Sequence, residues 1–408
     1  MGATDPGGRL VGVKASLNNG RDMVAIPGPS VIPDRVLAAM HRPMPNIYAG
    51  ELLDITDEIF EQLPGIARTS ATPFVTVSNG HGAWEMSISN TLSRGDRVLV
   101  LESGRFAVVW GEMAAVSGVQ IDTVHAADRS PIDPADVEHR LRADTERTIK
   151  AVFAVHVDTS TSVRNDIAAI RRAIDAADHP ALLMVDCIAS LGCDMYLMDE
   201  WGVDVTVAAS QKGLMVPPGL GFVWAGPKAW AAHRHAGLRS GYWDWTHRSQ
   251  DGPHYLRYCG TPPVPHMYGL REALAMIREE TLDCVWDRHA TLARSVHAAV
   301  DAWSAPDGLE LHIVDPAARS NAVTTIRTGG IDGVRLRELC EERAGLTLGI
   351  GLAPYEHLSF RIGHMGHVNP PMLLGTLGTI EAALSAMDAP MGASGAAAAA
   401  TVVATAMR

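Results

Sequence analysis

Between Phe74 and Gly226, short and almost uninterrupted apolar runs alternate with stretches of helical periodicity. No other feature of the chain restricts its fold as much. The runs are Phe74–Val77, Asp96–Leu101, Ile149–Val155, Ala181–Asp186, Val203–Ala208 and Leu220–Trp224. A strand that is apolar on both sides must be covered on both faces, and helical crossovers of about 10–15 residues are what join parallel strands. The expectation is an α/β body around a mainly parallel sheet, with a helix from Gly82 to Leu92 after the first run. Beyond Cys284 the pattern changes. A helix over Asp287–Trp303, strands near Leu311 and Ala322, and helices over Val334–Arg343 and Pro371–Met387 predict a smaller α+β domain. The expected division is an N-terminal arm at 1–20, a large domain at 21–283, a small C-terminal domain at 284–390 and an Ala-rich tail at 391–408. The tail is too short to span a bilayer and reads as either a docked helix or a mobile end.

Composition excludes several classes. A net charge of -12 without any basic run argues against nucleic acid or an anionic membrane as partner. Five cysteines without CxxC spacing read as reduced thiols, and no apolar leader is visible, so a cytoplasmic setting is expected.

Chemistry concentrates at the ends of the apolar runs. Lys212 follows one of them in Ala208-Ala209-Ser210-Gln211-Lys212-Gly213-Leu214. Partial desolvation there lowers a lysine pKa and frees the amine for Schiff-base chemistry, although a strand-end lysine is also a common surface residue. Asp186 ends the run Ala181–Val185, 26 residues earlier. That is the carboxyl edge, where α/β sheets bind ligands. Alone, Asp186 is equally a cap. Together with Lys212 it forms the pair that pyridoxal 5'-phosphate (PLP) chemistry needs, a carboxylate for the pyridine nitrogen and an amine for the aldehyde. Ser78-Asn79-Gly80-His81-Gly82 lies between a strand and a helix, where unpaired N–H groups favour an anion, or where His81 is simply a capping residue.

The segments Ile26-Pro27-Gly28-Pro29, Asn79-Gly80-His81-Gly82, Val185 to Gly192 and Ser210 to Leu214 resemble class V aminotransferases, in the family's order, over Ile26–Met387. Within that family the resemblance is to the amino acid–glyoxylate enzymes. It implies PLP-dependent fold type I, with a mainly parallel seven-stranded sheet, and a homodimer with shared active sites. It also implies roles. Lys212 carries PLP as a Schiff base and Asp186 holds the pyridine nitrogen. Asn79, Gly80, His81 and Gln211 take the phosphate, Phe106 stacks on the ring, and Thr159 and Ile188 complete the cofactor site. Tyr258 and Thr261 reach the phosphate from the partner subunit, while Arg361 and Gly28 belong to the substrate side. Two departures stand out: Pro45–Gly50 replaces an Asp-His-Arg-Ser-like stretch at the entrance, which bears on substrate preference, and in the phosphate turn Asn79 and His81 stand where serine–glyoxylate relatives tend to have Thr.

The expected reaction is amino transfer from an L-amino acid to glyoxylate. L-Aspartate or L-serine is the favoured donor and alanine the alternative. Arg42, Arg105, Arg248 and His247 are the candidates for a second carboxylate, with Tyr242–Arg248 able to meet a polar donor or to pack as a surface loop. A cysteine desulfurase would use Cys340, but Leu336, Leu339 and Cys340 share one apolar helical face, which favours an inert thiol. Paired histidines (His233 with His235, His364 with His367) lack any metal-site motif, so no metal is expected. A non-catalytic binder on the same fold is disfavoured by the Lys–Asp–Arg set.

Overall fold

The computed structural model describes residues 17–249 and 252–408, so most of the expected N-terminal arm lies outside the described residues. Strand β1 spans Met23–Ala25, β2 Thr72–Ser78, β3 Arg97–Glu102, β4 Gln120–His125 and β5 Ile149–Val155. A small ribbon follows, β6 at Val157–Asp158 and β7 at Val163–Arg164. Next come β8 (Leu182–Asp186), β9 (Val205–Ala209) and β10 (Gly219–Ala225). The last four are β11 (Glu310–Leu311), β12 (Val323–Arg327), β13 (Leu346–Ile350) and β14 (Ser359–Gly363).

The main sheet has seven strands in the order β2-β10-β9-β8-β5-β3-β4. Only β10 runs against its neighbours; β3, β4, β5, β8 and β9 pair in parallel. Because β2 and β9 are both antiparallel to β10, six strands end at one edge. The apolar runs are continuous because the sheet is covered on both sides. In β5, Val152 and Ala154 enter one core while Ala151 and Phe153 enter the other, beside Trp84 and Trp110. The sequence reading missed β4, whose residues alternate with polar ones and lie half-exposed at the sheet edge.

The second sheet, β1-β13-β14-β12-β11, is antiparallel except for the β1–β13 pair. Strand β1 therefore lies in the sheet otherwise built from C-terminal residues, although the sequence groups it with the large domain. The helices Leu282–Trp303 and Pro370–Ala386 cover this sheet. Of the two readings of the tail, the structure shows a docked helix, Gly395–Ala406, capped by Ser394. Ala399 and Val403 are buried in the second core, and Gly395 lies so close to Trp303 that a Cβ would meet its indole nitrogen at 2.4 Å. No helix among the described residues is long and apolar enough to cross a membrane.

Candidate active site

The common carboxyl edge of the main sheet brings the predicted residues together. A cavity of about 200 Å³ is lined by Asn79, Gly80, His81, Phe106, Thr159, Asp186, Ile188, Gln211 and Lys212, joined by Trp84, Val157 and Ala189. They come from the carboxyl end of a strand of that edge, from the turn or ribbon after it, or from the helix that follows, as expected for a doubly covered sheet.

Asp186 is the last residue of β8 and is buried. Its Oδ1 accepts from the Ile188 amide at 2.6 Å, and its Oδ2 accepts from the Trp84 indole N–H at 3.0 Å. Burial pushes the carboxyl up to about 7, against the pull of those two donors. A cationic N–H in the cavity would supply the missing counter-charge. Across the cavity, burial, reinforced by the positive charge of Arg361, draws the Lys212 amine down to about 8. Lys212 Nζ donates to the Pro27 carbonyl at 2.5 Å. Gly28 makes this approach possible: its φ is +92°, and a Cβ there would meet the lysine side chain at 2.5–2.6 Å.

Asn79 caps the helix Gly80–Thr91, its side chain accepting from the His81 amide at 3.0 Å. Gly80 lies against Ile188, where a Cβ would meet Cδ1 at 2.4 Å, so the backbone approaches the cavity closely. Gln211 leaves its buried Oε1 without a hydrogen-bond partner among the described residues. An amide in that state is a ligand contact waiting to be made, and rotation about its last bond offers N–H groups instead. A helix N-terminus, a glycine-lined wall and an unsatisfied amide at one end, with Asp186 and Lys212 beside them, fit a phosphorylated pyridine aldehyde.

Arg361 lies on β14 and is 8% exposed. Its Nε donates to the Ile350 carbonyl at 2.7 Å and its Nη1 to the Thr159 carbonyl at 2.9 Å. Among the described residues nothing pairs with Nη2. Asp158, which the sequence reading missed, lies next to Thr159 and its charge acts on Arg361. Its carboxylate accepts from the Phe106 and Ala107 amides and from Ser160, anchoring the helix that begins at Arg105. Gly104 is needed there, since a Cβ would meet the Asp158 carboxyl carbon at 2.4 Å. Trp84 was also missed, although it lies one helical turn after Gly80 and so faces the same way.

Not every predicted residue reaches this cavity. Tyr258 is turned into its own core, its ring edge-on to Phe60 and its hydroxyl donating to Thr56 at 3.2 Å. It presents nothing at a surface, because burying the ring in that core outweighs exposing it. Thr261 is exposed, away from the cavity. Arg248 is not a substrate cation: its donors are taken by the carbonyls of Tyr242, Val75 and Arg257. Arg42 pairs with Glu51 and lies over the Tyr268 ring. Arg105 and His247 are exposed, with no side-chain hydrogen bond among the described residues. Cys340 is sealed in the second core, where burial pushes its thiol up to about 12, so it offers no nucleophile. His364 bonds Thr324 and the Asn321 carbonyl, and His233 bonds Thr246.

Comparison with known proteins shows what the whole chain resembles. The family described as Aminotransferase class-V matches residues 66–364. The serine–glyoxylate aminotransferase of Methylorubrum extorquens is 39% identical over 378 residues, covering 91% of this chain and 92% of its own. The L-aspartate–glyoxylate aminotransferase of Paracoccus denitrificans is 37% identical over 372 residues, covering 90% and 92%. The crystal structure of ureidoglycine–glyoxylate aminotransferase from Bacillus subtilis superposes with a TM-score of 0.85 at 25% identity, over 94% of this chain and 98% of that one.

Proposed function

The chain belongs to the class-V aminotransferases, PLP-dependent enzymes of fold type I, and on that premise we propose that it moves the amino group of L-aspartate or L-serine to glyoxylate. The products are glycine and a 2-oxo acid. The observation that carries this reading is one cavity lined by Lys212 and Asp186, with the half-satisfied guanidinium of Arg361 bonded to the carbonyl of Thr159 in its wall. The Methylorubrum extorquens and Paracoccus denitrificans relatives are named as serine–glyoxylate and L-aspartate–glyoxylate aminotransferases, which supports the substrate pair.

In this reading Asn79, Gly80, His81 and Gln211 hold the phosphate, Asp186 holds the pyridine nitrogen, and Phe106, Thr159 and Ile188 close around the ring. When bound, the cofactor supplies the carbonyl that takes up the amino group and a sink for the electrons of the broken bond. Lys212, which would hold PLP as a Schiff base, is the proton carrier. A buried amine near neutrality takes the proton from the substrate Cα. Arg361 Nη2 receives the α-carboxylate, which fixes that Cα beside Lys212. The Trp84–Asp186 bond keeps the carboxylate aimed into the cavity. The active form is a homodimer in which Thr261, from its exposed position, completes the partner's phosphate site. Five free cysteines support a cytoplasmic setting.

Mixing the purified holoenzyme with single amino acids, then with glyoxylate, tests the reading. Aspartate or serine should bleach the bound-cofactor absorbance, and glyoxylate should restore it with release of glycine. Preference for alanine would overturn the donor assignment, and failure of glyoxylate to restore the band would overturn the acceptor.

A further inference from the structure

The lysine is also held from the side of the N-terminal segment that follows β1. Leaving β1, the chain crosses from the second sheet to the cavity through Ile26–Ser30, a strap laid on the strands around Arg361. A Cβ on Gly363, two residues after Arg361, would meet the Ile26 carbonyl oxygen at 2.2 Å. One on Gly349, the residue paired with Arg361 across β13 and β14, would meet the Pro27 ring at 2.6 Å. The strap then touches the lysine at three levels. The Pro27 carbonyl accepts from Nζ, Gly28 lies along the side chain, and Ser30 fastens the main chain.

Ser30 makes two bonds to consecutive carbonyls. Its amide donates to Gln211 at 2.8 Å and its hydroxyl to Lys212 at 2.7 Å. Behind it stands Gly366, with φ +80°, where a Cβ would meet Ser30 Oγ at 3.1 Å and the Lys212 carbonyl at 3.3 Å. Gly366 is itself fixed, donating to His289 Nε2 at 3.0 Å and accepting from Arg288 at 3.1 Å.

We propose that Ser30 is a positioning residue for Lys212, tying the lysine backbone to the strap that lies on the substrate-carboxylate strand. The hydroxyl sets where Nζ stands relative to Asp186, Arg361 and Cys193, the charged and titratable groups around it. The inference rests on the reading of Lys212 as the cofactor lysine.

The test titrates the cofactor absorbance of the holoenzyme against pH in Ser30→Ala and Ser30→Thr, with kcat and KM for the amino donor. Borohydride fixation of cofactor to Lys212 is checked first in the unmodified enzyme, and label elsewhere overturns this inference together with the reading beneath it. With Lys212 labelled, Ser30→Ala should move the spectral midpoint by about half a pH unit or more. It should lower kcat about fivefold, the worth of one hydrogen bond, with KM changed less than about twofold. Ser30→Thr, which keeps the hydroxyl, should restore both. A Ser30→Ala enzyme whose midpoint and kcat match the unmodified protein, even with a lowered Tm, overturns the positioning role alone. If Ser30→Ala does not fold, Ser30→Cys is measured to the same criteria.

Discussion

Arg361 and Arg248 are both nearly sealed from solvent, at 8% and 3% exposure, and no carboxylate accepts a hydrogen bond from either. Their surroundings use them in opposite ways. Arg248, in the Tyr242–Thr261 region, spends its donors on three backbone carbonyls and lies over the Tyr242 ring at 5.0 Å. It ties the turn before Ser249 to β2 and to the segment at Arg257. Arg361, bonded to the carbonyl of cavity-lining Thr159, is oriented by two carbonyls and left incomplete at Nη2. A buried guanidinium that is saturated is scaffold. One that is oriented and unsaturated is a receptor for a planar anion.

The sharpest way to break that comparison is to remove each arginine. Arg361→Ala should lower kcat/KM for every amino and keto acid by about 30- to 1,000-fold, about 2–4 kcal/mol of lost charge-assisted bonding, with little change in Tm. An effect limited to one substrate would mean that Arg361 reads a side chain. Arg248→Ala should instead cost about 3 kcal/mol of stability, because several buried carbonyls lose their donor. Calorimetry and steady-state rates at low temperature separate the two, and a substrate-selective loss in a fully folded Arg248→Ala enzyme would return that residue to the substrate.

Trp84→Phe extends the contrast to the carboxylate, keeping the ring while removing the N–H that aims Asp186. Turnover should fall about tenfold with the fold intact, read from kcat and circular dichroism together. Amine-reagent labelling of the cofactor-free protein probes the electrostatics. Lys212 is protonated below its midpoint near 8 and becomes reactive as the pH rises through it. Loss of the neighbouring positive charge in Arg361→Ala should move that midpoint upward, whereas Arg248→Ala should leave it in place. The smallest effect belongs to Arg105→Ala. Loss of an exposed cation there should weaken aspartate by only about two- to fivefold and leave serine unchanged; equal weakening of both donors would remove Arg105 from side-chain recognition.

How much of this was readable in the chain follows the range of the interactions. The central strands were legible because burial on both faces leaves continuous apolar runs, and Asp186 and Lys212 were legible because one ends such a run and the other closely follows one. Strand β4 was not, since an edge strand keeps polar residues. The position of β1 was not either, because three residues pair with a strand more than 300 positions away. Arg248 looked like a solvent-facing cation in a polar segment, and only its three carbonyls, one of them in β2, reveal otherwise. Tyr258 and Trp84 make the same point from two sides. The motif containing Tyr258 gave no sign that its ring turns inward, and the helix containing Trp84 carried a periodic signal that the motif reading did not use.

Borohydride reduction of the holoenzyme followed by peptide mapping tests the central claim most directly, because the sequence holds only four lysines. Lys14 lies outside the described residues, Lys150 is exposed on β5, and Lys228 donates to the Ala181 carbonyl at 2.7 Å beside Asp204. The account predicts loss of the cofactor absorbance and a single phosphopyridoxyl label on Lys212. A label on Lys14, Lys150 or Lys228, or a protein that binds no reducible cofactor, would contradict it.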